Sequence, residues 1–253
     1  MTVRVVRDSF PDDPAFDTAV SRAILERVAA GELEETIRLA RPGAMVAFGK
    51  QDVHAPGYAD AARLARERGF EAVVRLAGGR AAVFHEDTVA LAWAVADRDA
   101  LAHTHDRFRE VADVLATALE RLGVAAQVGE VPREYCPGDY SVNARGRVKL
   151  AGVGQRVIAG GGHIGGVIVA AGEERVREVL VPVYAALGLD WDPATAGSVA
   201  AEIGGASFEL VRDVIAAELG SRYEVAEAGL DEETLVLART LEPEHATPVG
   251  EDD

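Results

Sequence analysis

Cys136 is the only cysteine among 253 residues, and Lys149, thirteen positions later, is one of two lysines against twenty-four arginines. A thiolate attacks carbonyl carbon and holds an acyl group between two partners. An ammonium nearby lowers a thiol's pKa from about 8.5 toward neutrality, and it steadies the oxyanion that such an attack creates. Where Arg serves for charge alone, a retained Lys points to a need for a compact ammonium. Cys136 stands in "YCPGDY", a Pro-Gly turn that projects it from a loop, which is a poor place for a core residue. Plainer readings stand beside these. A lone Cys is more often a small core hydrophobe. Lys149 lies on a strand where Val148 and Leu150 share one face and Lys149 and Ala151 the other, so it also reads as a solvated strand residue.

Two glycine-rich stretches carry further candidates. In "VVRLAGGRAAVFHED" (73–87) the glycines let backbone approach a ligand closely, with Arg75, Arg80 and His85 on or beside the turn. The pair alone reads equally as a tight hairpin with surface arginines, and it is neither a Walker loop nor a dinucleotide fingerprint. In "GQRVIAGGGHIGGVIV" (154–169), Gly160 to Gly162 read as a flexible loop and His163 adjoins an apolar strand. A lone His there is more often a packed residue than a ligand. No spacing suits a metal site, so none is expected.

Strand and helix signals alternate around these stretches. Residues 2–7 read as a strand, 13–31 as a helix opened by Asp-Pro and closed by Gly31, and 35–49 as two strands about Arg41-Pro42-Gly43. Residues 58–69 read as a second helix, 71–95 as strand, glycine turn and strand, and 105–123 as a long helix with Phe108, Val111, Leu115 and Leu119 on one stripe. Strands follow at 140–143 and 147–151 about a turn at 144–146, with an apolar strand at 165–171; from Glu173 onward the pattern is helical. The expectation is an α+β fold, a mixed β-sheet flanked by helices, as one domain over 1–242 with an acidic frayed tail at 243–253. Apolar content of 49% with 27% charged residues suits a globular chain with a real core. A formal charge of −16 argues against a nucleic-acid partner. No apolar run reaches membrane-spanning length, no signal-type core follows Met1, and one Cys cannot form an internal disulfide. No membrane partner and a cytoplasmic location are expected.

Taken in order, these segments resemble the lipoate/biotin protein ligase superfamily over roughly residues 1–220. The matching positions are Arg75, Ala77-Gly78-Gly79 and His85-Glu86, then Asp139-Tyr140, then Lys149 to Gly152 with Gln155-Arg156, then His163-Ile164-Gly165. Within it, "YCPGDYSVN…KLAGVGQR" is most similar to the cysteine-dependent octanoyl/lipoyl amidotransferases, and the resemblance implies the biotin/lipoate ligase type of catalytic domain. It further implies transfer of an octanoyl or lipoyl group from the glycine cleavage H protein to E2 subunits of 2-oxoacid dehydrogenases. Cys136 would then be the nucleophile and Lys149 the invariant lysine, with His85 and His163 as candidate proton donors. Arg75, Ala77, Gly78, Gly79, His85, Gly152, Gln155 and His163 would bind substrate. No cofactor is implied, because exchange of one acyl-lysine amide for another is nearly isoenergetic. The alternative is a lipoate–protein ligase using ATP and Mg, in which Cys136 is incidental; Arg80 replaces the third glycine of the ligases' turn. A second alternative is a non-catalytic acyl-binding module.

Overall fold

The structure, a computed structural model, describes residues 2–247. The chain forms β1 (Thr2–Val6), α1 (Pro14–Ala29), β2 (Thr36–Ala40), β3 (Met45–Phe48), α2 (Lys50–Val53), α3 (Tyr58–Arg66), β4 (Glu71–Val74), β5 (Ala82–Phe84) and β6 (Thr88–Ala96). It continues through α4 (Thr104–Arg121), β7 (Ala126–Val128), β8 (Val142–Ala144), β9 (Val148–Ile158), β10 (Gly161–Val169), α5 (Glu173–Ala186), α6 (Val199–Ile203), α7 (Phe208–Arg222), β11 (Glu224–Ala228) and α8 (Glu232–Leu241). Eight strands order as β11-β1-β2-β6-β10-β9-β8-β7, and three more as β4-β3-β5. The large sheet is antiparallel except where β1 runs parallel to β11 and β2.

Helix propensity and capping agree with these boundaries. Asp13 accepts the Phe16 N–H and Pro14 opens α1, as Asp-Pro predicts. Val111, Leu115 and Leu119 of α4 bury against the large sheet together with Ile215 and Leu219 of α7. Ala61 and Ala65 of α3 and Val179 and Val183 of α5 cover the small sheet. The mixed sheets flanked by helices match the expected α+β class.

Several local expectations fail for physical reasons. The two strands expected about Arg41-Pro42-Gly43 form as β2 and β3, but in different sheets, so the turn between them carries the chain from the large sheet to the small one. Nor do β4 and β5 form a hairpin, since both pair with β3 and the glycine turn crosses over it. Gly161 and Gly162 are strand residues of β10 rather than a loop. A Cβ on Gly161 would lie 2.9 Å from the Ala29 Cβ, and one on Gly162 3.1 Å from Arg107 Cζ, so close packing explains them. The helical C-terminal part contains β11, an exposed edge strand whose pairing with β1 spans over two hundred residues. Residues 243–247 are not frayed: Val74 N–H donates to the His245 carbonyl at 2.8 Å, and His245 is buried. The rest of the expected tail, 248–253, lies outside the described residues.

Candidate active site

The loop between β7 and β8 carries the thiol. Cys136 has φ of 44°, a left-handed conformation costly for a residue with a Cβ. Four contacts hold it there. Its N–H donates to Tyr184 Oη of α5 at 2.8 Å, and its carbonyl accepts from Lys149 Nζ at 2.7 Å. The sulfur faces the glycine turn, where the Arg80 backbone N–H points at Sγ from 3.2 Å and Arg75 Nη1 from 3.7 Å. Donors of this kind suit a sulfur bearing negative charge. Gly79 has φ of 114°, and a Cβ there would lie 2.9 Å from Sγ and 3.0 Å from Arg75 Nη1. Only glycine lets that turn meet the thiol.

Lys149 overturns the expectation of a solvated strand residue, since it is 1% exposed. A β-bulge between β8 and β9 sets Val142 opposite Ala151 and Asn143 opposite Lys149, so Leu150 and Ala151 both enter the core and the simple alternation breaks. The ammonium donates all three of its N–H groups: to Glu134 Oε1 at 3.0 Å, Tyr135 O at 3.1 Å and the Cys136 carbonyl. It therefore grips the backbone of the loop that carries Cys136, while the cation beside the sulfur is Arg75. Glu134 is buried and accepts in addition from Val131 N–H, Gly138 N–H and Ser141 Oγ, which closes the loop on itself.

A cavity of about 480 Å³ brings Arg75, Gly78, Gly79, Cys136, Lys149, Gly152 and Gln155 together, a size ordinary for small-molecule sites. Gly152 is required by proximity, because a Cβ there would press within 3.0 Å of Lys149 Cε. Gln155 lines the cavity, yet its amide accepts from Arg107 Nε at 3.1 Å and donates to Thr104 O at 2.6 Å, so it clamps α4 to β9.

Ala77 and His163 border a separate cavity of about 80 Å³ between the sheets, touched also by Arg75, Gly165 and Gly166. The glycine turn and the 165–171 strand are thus shared between two cavities. Val167 faces the larger cavity, and Gly165 and Gly166 the smaller. Burial first, then Arg75 and His245, pushes His163 down to about 3, which leaves a neutral ring and removes it as a proton donor. His85 is buried outside both cavities, its Nδ1 accepting from Asp87 N–H at 3.2 Å. Burial and Arg175 lower its pKa as well. Neither histidine lines the cavity that holds Cys136.

Two contributors were missing from the sequence reading, and a third entered it only as a side chain beside the glycine turn. Glu134 stands two residues before the cysteine, where an acid in an acidic chain carries no special signal. Tyr184 lies on another helix; burial holds its phenol protonated, and it donates to Ala81 O at 2.9 Å. Arg80 contributes its backbone N–H, and its guanidinium meets the buried Asp52 carboxylate at 3.2 Å.

A two-sheet α+β fold of this kind, with a thiol loop braced by a buried lysine, falls in the class of lipoate ligase catalytic domains. The bi-partite lipoate protein ligase of Thermoplasma acidophilum, from an archaeal lipoylation system, superposes with a TM-score of 0.75, covering 96% of this chain and 92% of that one at 16% identity. The chain belongs to the lipoyl protein ligase A/B catalytic domain family, which it matches over residues 13–184. Among curated relatives, the octanoyl-[GcvH]:protein N-octanoyltransferase of Geobacillus kaustophilus is 26% identical over 69% of this chain and 63% of its own length. That of Anoxybacillus flavithermus is 30% identical over 58% of this chain and 54% of its own. The chain therefore spans less than two thirds of the length of these relatives.

Proposed function

We propose that the protein is an acyltransferase that moves an octanoyl or lipoyl group between carrier-protein lysines through a thioester on Cys136. The observation that carries this reading is the sulfur itself. It is held in a strained backbone conformation at the wall of a cavity, with an N–H and a guanidinium directed at it. The thiolate attacks the amide carbonyl of an acyl-lysine, the C–S bond forms, the C–N bond breaks, and the thiol's proton ends on the departing amine. An acceptor lysine then attacks the thioester, and its proton returns to sulfur. The Arg80 N–H and Arg75, the donors closest to the sulfur, are the groups this reading assigns to stabilising the oxyanion of both steps. Lys149 fixes the loop that presents the thiol, and no nucleotide is needed.

The carriers follow from relatives. Two are named for octanoyl transfer from the glycine cleavage H protein, and the Thermoplasma ligase was solved in a study of its E2 lipoyl domain. The H protein as donor and E2 subunits as acceptors are the corresponding partners here. Intact-protein mass spectrometry after incubation with octanoylated H protein tests the reading. An adduct of octanoyl mass on the wild type is expected, with none in Cys136→Ser and transfer slowed at least about a thousandfold. Full activity of the serine variant, or loading of free lipoate only with ATP, would favour the ligase chemistry instead. Binding of octanoyl carrier without turnover would favour a silent acyl-binding module.

A further inference from the structure

Leu101 is 79% exposed, the highest value of any large hydrophobic side chain among the described residues. It stands in the loop between β6 and α4, and five hydrogen bonds fix that loop and its junction with α4. Asp97 N–H donates to Gly160 O at 2.9 Å, and the Asp97 carboxylate takes Arg107 Nη1 at 2.7 Å and His103 Nδ1 at 2.9 Å. Arg107, itself buried, also donates to the Ala100 carbonyl, and Gln155 holds Thr104 O. A side chain presented by a turn pinned in this way is held out rather than left loose.

Beneath Leu101 runs a groove of about 450 Å³ between this loop and the β9–β10 turn, with Ala102, Val157, Ile158 and Ala159 along it. Leu101 and Val157 border this groove and the Cys136 cavity alike. Leu101 is exposed and lines both, so the groove adjoins the cavity at a solvent-facing side chain. An exposed apolar surface beside a reacting cavity marks a contact with a partner.

We propose that this groove is the docking surface for the acyl-carrier protein, with Leu101 covered by an apolar side chain flanking the acylated lysine. This rests on the transferase reading above. On this proposal the acyl-lysine enters past Leu101, one of the exposed residues that line the Cys136 cavity, so the protein that bears it covers the groove in the same act. A second copy of this chain has no such reason to lie there.

The test uses Ala102→Glu and Ala159→Glu, which change the groove but not the cavity, and Leu101→Ser. Acylation of Cys136 is followed by intact mass with two donors, octanoylated H protein and the small thioester octanoyl-N-acetylcysteamine. All three variants are expected to raise KM for the carrier about tenfold or more. The two groove variants should leave the small donor's rate within about twofold, at unchanged melting temperature. Unaltered carrier KM in the three overturns the proposal. So does equal loss with both donors, which would mean that the groove only shapes the cavity, or a change in sedimentation that reveals a dimer across this face. Failure of wild type with either donor would instead overturn the transferase reading.

Discussion

Glu134 uses both carboxylate oxygens on the loop that carries Cys136 and on Lys149: Oε2 accepts from the Val131 N–H, and Oε1 from Gly138, Ser141 and Lys149. Burial of a matched pair is not in itself stabilising, but removal of one partner strands a charge in the interior. Glu134→Ala is expected to destabilise the fold by about 3–5 kcal/mol, measured by denaturant unfolding. The same variant frees the loop that holds Cys136, so its octanoylation rate should fall more than can be recovered by working below the new midpoint. From composition and spacing, Cys136 and Lys149 were legible because each is scarce and they stand close in sequence. Glu134 was not, since carboxylates are abundant in this chain and only the burial of its neighbours turns one of them into a strut.

At the scale of elements, β9 does two jobs. Its start carries Lys149 to the loop that holds Cys136, and its middle ties Gln155 to Arg107 and to the beginning of α4. Arg107 links α4, β9 and the β6–α4 loop through Asp97, Ala100 and Gln155. Arg107→Ala is therefore expected to speed amide exchange across 97–104 by tenfold or more while the 134–141 loop stays protected, as hydrogen-exchange mass spectrometry would read. The helices α1 and α4 were visible from 3.6-residue periodicity, which local sequence sets. The bulge beside Lys149, and the burial of that side chain against Glu134 and the 135–136 carbonyls, were not. Register between β8 and β9 depends on what each strand packs against, and a one-residue offset reverses every face.

The molecule as a whole buries three histidines, His85, His163 and His245. Desolvation is the largest cause lowering each of them, to about 3 for His163. In the unfolded chain they titrate near 6.5. Below that value the unfolded state binds more protons than the folded one, so their contribution to stability is complete above pH 6.5 and is lost as pH falls toward the folded values. The melting temperature is expected to drop between pH 7 and 5, with a shallower slope in His163→Gln, as calorimetry across that range would show. The sequence by itself determined the helices, the α+β class, the pairing of a scarce thiol with a scarce amine, and the glycines beside them, because periodicity, turn chemistry and residue choice are local. Only the tertiary structure decided that β4 and β5 flank β3, that Arg75 rather than Lys149 faces the sulfur, and that His163 and His85 stand apart from it. Those outcomes depend on which strands meet across long stretches of chain and on which charges that meeting removes from water, and neither is written at any one position.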